Sequence, residues 1–243
     1  MAKIDKSKYT KAQWERIRNE RRSEKDNKRR AKLIEESINF RPKNNSVSSD
    51  TGFIVGNGTS RKPIDISSLQ SYGKVYGCNA LYRSFSPDYL IAVDVKMILE
   101  ISKTGYQNKH QVWTNPNKSF NMIKGLNFFH PSKGWSSGPT ALWLAAQHDY
   151  KTIYILGFDY KGVNNGKNFN NMYADTNNYK KSTDGATFFG NWMRQTRSVI
   201  QSHPQIQFIR VIQPDNYIPD ELNKFNNLEH IFVEDFKRLF NIS

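Results

Sequence analysis

Short apolar runs that each end on glycine, asparagine or aspartate, and that are separated by stretches long enough for a helix, constrain this chain more than any other feature. Gly52–Val55, Lys74–Gly77, Tyr89–Val93, Gln111–Thr114 and Leu126–Phe129 read as successive strands. Thr152–Leu156 is the strongest strand in the chain, and Ile206–Val211 closes the set. Runs that are apolar throughout, rather than on alternate positions, belong to strands buried on both faces. Helices are expected at Ser137–His148, with Leu142, Leu144 and Ala145 inward, and at about Asp184–Gln201. Strands alternating with helices predict an α/β domain with a mainly parallel sheet, whose ligands bind beyond the carboxyl ends of the strands.

Four of those strand ends carry polar punctuation. Asn57 follows the first within Gly56-Asn-Gly58, Asn79 the second, Asp94 the third, and Asp159-Tyr160 follow Ile155-Leu-Gly-Phe158. In a parallel sheet all four face one cleft. The Gly-Asn-Gly turn brings backbone N–H groups within reach of a phosphate because no Cβ stands in the way. Taken alone it reads equally well as an Asn-Gly turn. Ser136-Ser-Gly138 adds a helix start, where Ser136 or Ser137 is expected to cap and the positive dipole end suits an anion.

Other site chemistries find no support. There is no Gly-x-x-x-x-Gly-Lys-Ser/Thr loop, no third glycine for a dinucleotide fingerprint and no Gly-x-Ser-x-Gly elbow. His110, His130, His148, His203 and His230 lack metal-ligand spacing, so no metal and no cofactor is expected. Cys78 is the only cysteine, which rules out an intramolecular disulfide and fits a reducing compartment.

The formal net charge of +14 is unevenly placed: residues 1–48 hold 15 Lys/Arg against 7 Asp/Glu, which leaves only +6 for the other 195 residues. The excess therefore marks an arm and not a basic fold. Residues 10–38 have no glycine or proline and favour helix, but Trp14, Ile17, Leu33, Ile34 and Ile38 leave a polar gap in the middle, so no apolar stripe runs its length. Residues 1–40 are expected to form a basic helical arm, a solvated element or a contact for nucleic acid or a protein assembly. Residues 41–51 are a linker, and 52–243 the folded domain. Within it, Val163–Thr183 is long, Asn-rich and aromatic, which suits a lid or binding loop. No run reaches the ~18 apolar residues of a membrane span and no apolar segment follows the first lysines, so a soluble, cytoplasmic protein is expected.

Gly56-Asn-Gly-Thr-Ser60, Ile64-Asp-Ile-Ser-Ser-Leu69, Tyr76-Gly-Cys-Asn79 and Ser136-Ser-Gly138 ahead of Lys151-Thr-Ile-Tyr-Ile-Leu-Gly-Phe-Asp159 together resemble the bacterial lipooligosaccharide sialyltransferases, to which the motility accessory factor proteins are related. The similarity spans about residues 52–215 and is weak between Lys96 and Phe129. It implies a single Rossmann-like domain with a lid, a CMP-sugar as substrate, and inverting sialyl transfer to an acceptor hydroxyl without a metal. It further implies that Asn57 and Asn79 contact the phosphate and ribose side of CMP, that Ser136, Ser137 and Gly138 grip the nucleotide, and that Tyr173 in the lid steadies the leaving phosphate.

The departures are specific. Tyr179 stands where the family's basic histidine would be, ahead of Thr183-Asp184, so Tyr179 or Asp184 becomes the expected base. Gly134 stands where a basic residue is expected, and Asp94 replaces an asparagine. The alternative reading is a catalytically inactive member acting as a binding or structural module through its arm. A compact, phage-encoded member with such an arm would act in a virion or on a host.

Overall fold

The computed structural model describes residues 9–21, 24, 28 and 50–242. The chain divides into two units, Met1–Arg41 and Pro42–Ser243. In the first, residues 11–21 form helix α1. Thr10 Oγ1 accepts from Gln13 N–H at 3.3 Å while Gln13 Oε1 accepts from Thr10 N–H at 2.9 Å, a reciprocal capping box that starts the helix where the sequence placed it. Apart from residues 24 and 28, which are helical, the rest of the helix expected to reach residue 38, and the linker up to residue 49, lie outside the described residues.

The second unit is built on an eight-stranded sheet of order β5-β4-β3-β2-β1-β6-β7-β8. Its strands are β1 Thr51–Val55, β2 Lys74–Cys78, β3 Tyr89–Ile91, β4 Val112–Thr114, β5 Leu126–Phe128, β6 Thr152–Leu156, β7 Gln207–Ile212 and β8 Leu228–Phe232. Every pairing is parallel. The chain winds outward from β1 to β5, crosses back through a helix, and starts again at β6 on the other side of β1. The strand order therefore reverses between β1 and β6, and at such a switch point the two flanking loops diverge and leave a crevice.

Alternation along the strands divides the core into two layers. Phe53, Val55, Val75, Tyr154 and Leu156 share one apolar cluster with Met97, Ile98 and Ile101 of α2 (Val95–Thr104) and Phe236 and Phe240 of α5 (Val233–Phe240). The Phe53 ring stacks on Tyr154 at 5.6 Å and meets Phe240 edge-on at 5.1 Å. On the other face α3 (Ser137–Ala146) lies against β1, β2 and β3, with α4 (Gly190–Ser202) packed on it. Covered on both sides, α3 is buried from Pro139 to Ala146, where the sequence had suggested a single inward stripe.

Three elements were not anticipated: α2, β8 and α5. Their signals were present but short. Met97, Ile98 and Ile101 fall at helical spacing, as do Val233, Phe236 and Phe240, and β8 is only half apolar because it is the sheet edge. The helix expected from Asp184 begins at Gly190 instead. Residues before it pair backward, with Phe169 N–H donating to Asp184 O at 2.9 Å and Ala186 N–H to Lys167 O at 2.9 Å.

His148 lies on the α3 face, 8% exposed, with Nδ1 bonded to the Tyr76 hydroxyl and Nε2 buried without a partner. Burial pushes its imidazole down to about 4. Between pH 6.5 and 4 the unfolded chain therefore binds a proton that the folded chain refuses, so stability falls as the pH drops through that window. We expect the wild type to lose on the order of 2 kcal/mol from this site between pH 7 and pH 4.5. Urea unfolding at both pH values, on the wild type and on His148→Gln, isolates the contribution. An equal acid loss in both proteins removes His148 as its source.

Candidate functional site

At the β1/β6 switch point lies a cleft of about 240 Å³. Gly56, Asn57, Gly58, Asn79, Asp94, Ser136, Ser137, Gly138, Asp159 and Tyr160 all line it. The carboxyl ends of β1, β2, β3 and β6 deliver the first three groups and the last, and the start of α3 delivers the serines. The volume is slightly below the ~300 Å³ at which small-molecule sites usually begin, and the cleft is open to solvent on one side.

Gly56 and Gly58 serve a different purpose from the one their sequence suggested. Gly56 N–H donates to Leu156 O at 2.8 Å and Gly58 N–H to Gly157 O at 2.9 Å, so neither amide is left for a phosphate. A Cβ on Gly58 would sit 2.6 Å from the Asp159 carboxylate and from Gly157 O. The glycines let the β1 and β6 loops interlock backbone to backbone. Buried Arg61 fixes the same turn, its Nε donating to Gly56 O at 2.7 Å.

The uncommitted donors are at α3. Ser136 occupies the N-cap position but its side chain makes no capping bond, a correction to the expected role. Ser137 is drawn sideways: its Oγ donates to Asn79 Oδ1 at 2.8 Å and accepts from Val93 N–H at 3.1 Å. Pro139 has no N–H, so Ser137 and Gly138 N–H are the first-turn donors that the helix itself cannot satisfy. Asn79 and Tyr160 both hold left-handed backbone, with φ of 52° and 54°. For tyrosine this is strained, and such strain gathers at functional sites. Asn57 Oδ1 is a further acceptor at the cleft wall with no donor, while its Nδ2 donates to Cys78 O at 3.0 Å.

The loop after β6 closes one side. Asn170 Oδ1 accepts from Thr59 N–H and Thr59 Oγ1, both at 2.9 Å, and its Nδ2 donates to Asp159 Oδ2 at 2.9 Å. Met172 N–H donates to Asn57 O at 2.7 Å. Asn170, Asn171, Phe158, Phe189 and Trp192 line the cleft but were not singled out from the sequence. Their only signals were the Asn-Asn pair within an Asn-rich loop and aromatics spaced i, i+3 at the start of α4.

Tyr173, Tyr179 and Asp184 are not brought into the cleft lining. Tyr173 bonds Ser84 Oγ at 2.8 Å, and its ring and that of Tyr179 lie 6.0 and 5.8 Å from the Arg83 guanidinium. Arg83 in turn forks onto Glu100 and holds Thr176 and Asn177, so this part of the loop is clamped to α2. The Tyr179 hydroxyl accepts from Asn57 Nδ2 and Ala80 N–H, each at 3.4 Å, behind the cleft wall. Burial pushes its phenol up to about 12, away from the range of a base at neutral pH. The Asp184 carboxylate is exposed and accepts from Lys181 N–H at 2.8 Å. Neither expected base is among the residues lining the cleft: Tyr179 stands against Asn57 at its wall, and Asp184 lies on the loop that folds back on itself before α4 begins.

Fold and cleft together define a doubly wound, all-parallel α/β domain with a ligand crevice at its switch point. No protein-family model and no curated protein matches the sequence. Among solved structures the chain is similar to the sialyltransferase CstII from Campylobacter jejuni, analysed in complex with a substrate analogue, cytidine-5'-monophosphate, at 16% identity over 70% of this chain and 83% of that one, with a TM-score of 0.46. No helix among the described residues is long and apolar enough to cross a membrane.

Proposed function

We propose that the cleft binds a cytidine nucleotide or CMP-sugar and that the domain transfers the sugar, with inversion, to an acceptor hydroxyl. The observation that carries the reading is the start of α3: two first-turn amides without intrahelical partners open into a switch-point cleft whose lining contains no lysine, arginine or histidine. A helix N-terminus offsets about half a unit charge. That suits the single charge of a phosphodiester such as a CMP-sugar better than the two or more of a nucleoside diphosphate sugar. Neutral donors fixed in place can also stabilise a departing phosphate. The cytidine base and the sugar-transfer chemistry come from the sequence resemblance, whose blocks supply eleven of the residues lining the cleft. The Phe189–Trp192 pair, with ring centroids 5.2 Å apart, offers a wall for a planar base or the apolar face of a sugar.

Thermal unfolding in the presence of CMP, CDP, UDP and GDP tests the reading. At 100 times its Kd, CMP should stabilise the wild type by about 2.7 kcal/mol and exceed the other three. Asn79→Gly keeps the left-handed backbone but removes the amide that holds Ser137, and most of the CMP shift should go with it. A wild type that responds to none of the four nucleotides would end the proposal.

A further inference from the structure

Resting on that transfer reading, we infer that Asp94 is the general base that accepts the acceptor's proton. Among the described residues two carboxylates line the cleft, Asp94 and Asp159. Asp159 is built into the wall, with Ser60 Oγ, Ser60 N–H and Asn170 Nδ2 all donating to it at 2.5 to 3.1 Å. The Cys78 thiol is buried and pushed up to about 12, and the Tyr160 hydroxyl is spent on Thr196 Oγ1 at 2.8 Å. Asp94 is different in each respect. It is exposed at the cleft mouth, stands at the N-cap position of α2, and its carboxylate makes no capping bond there. Among the described residues it has no hydrogen-bond or ion-pair partner.

Its placement fits the task. Val93, its neighbour, is tied to Ser137, so Asp94 borders the start of α3, where a phosphate would sit, on the side open to solvent. A donor sugar held with its phosphate at α3 meets an incoming hydroxyl from that open side. The hydroxyl proton passes to the Asp94 carboxylate as the acceptor oxygen bonds the anomeric carbon. The bond from that carbon to the phosphate oxygen breaks, and CMP leaves with the electron pair. Being exposed, Asp94 returns its proton to solvent. Asparagine is itself a favoured N-cap residue, so Asp94→Asn retains the fold.

The test uses the full chain with CMP-sialic acid as donor, and water and methyl galactoside as acceptors, following CMP release from pH 4 to 9. Asp94→Asn removes a negative charge beside the phosphate position, so it should bind CMP at least as tightly as the wild type and release it at least about 100-fold more slowly. Near wild-type turnover overturns the assignment, as does a weaker affinity for CMP with kcat preserved, which would make Asp94 a binding group. A wild type that binds CMP but releases none from CMP-sialic acid overturns the base assignment and leaves the nucleotide site standing. A wild type that does not bind CMP refutes the nucleotide reading itself.

Discussion

Asp159→Ala is expected to lower the unfolding free energy by about 5 kcal/mol and Asp159→Asn by about 3 kcal/mol. The reason is charge as much as contact. Arg61 and Arg210 are 5% and 2% exposed, and burial pushes both guanidinium groups down. Neither forms a direct ion pair among the described residues. Arg210 spends its donors on Phe158 O and Tyr217 O and leaves Nη1 unpaired. Tyr173 at Arg61 and Tyr160 at Arg210 act against that push more strongly, and Asp159 is the carboxylate that acts on both. Asparagine can keep contacts to Ser60 and Asn170 if the Ser60 hydroxyl reverses its role, so that variant reads the charge alone. Alanine also releases Ser60 and Asn170, and with Asn170 goes a latch of the loop that closes the cleft. Urea unfolding at pH 7 distinguishes the two. If both variants lose less than 1 kcal/mol, the arginines are balanced by something other than Asp159.

Gly157→Ala is the second. Gly157 holds φ at 68°, and a Cβ there would stand 2.8 Å from Gly56 O, which belongs to backbone that cannot step aside. Left-handed backbone costs about 1–2 kcal/mol for a residue with a Cβ, and the overlap adds about 1–3 kcal/mol, so a total near 3 kcal/mol is expected. Gly134 supplies the control. Its φ is 62°, yet nothing lies within 4 Å of the position its Cβ would take. Gly134→Ala should cost only the conformational part, about 1 kcal/mol. Equal losses at the two positions would mean that the β1 and β6 loops do not need their close approach. Because Gly157 sits at the switch point, its variant should also lose nucleotide-induced stabilisation, whereas Gly134→Ala should keep it.

The strands of this domain were legible because burial on both faces leaves a continuous apolar run, as in Phe53-Ile-Val55 and Ile153-Tyr-Ile-Leu156. Seven of the eight could be placed to within two residues at either end. The polar strand ends were legible too, since a parallel sheet sends every such end to the same side. What escaped was anything decided by partners distant in the chain. β8 and α5 carry weak local signals and gain their apolar partners only from β7 and from Phe53 and Tyr154. Asn170 looked like any asparagine in an Asn-rich loop until the fold set it against Thr59, 111 residues away.

The amino-acid sequence by itself determined the α/β class, the parallel sheet, the set of strand ends that meet in one cleft, and the placement of a helix start beside them. Those are consequences of local hydrophobic period and of chirality, which act on neighbours in the chain. Tertiary structure alone decided how the groups are spent. It turned the amides of Gly56 and Gly58 toward the β6 loop, left Ser137 and Gly138 as the first-turn donors of α3 without intrahelical partners, and kept Tyr179 and Asp184 out of the cleft lining. It also left Asp94, of the two carboxylates there, without a partner among the described residues. A backbone N–H has one proton to give, and which acceptor takes it depends on contacts that no local pattern records.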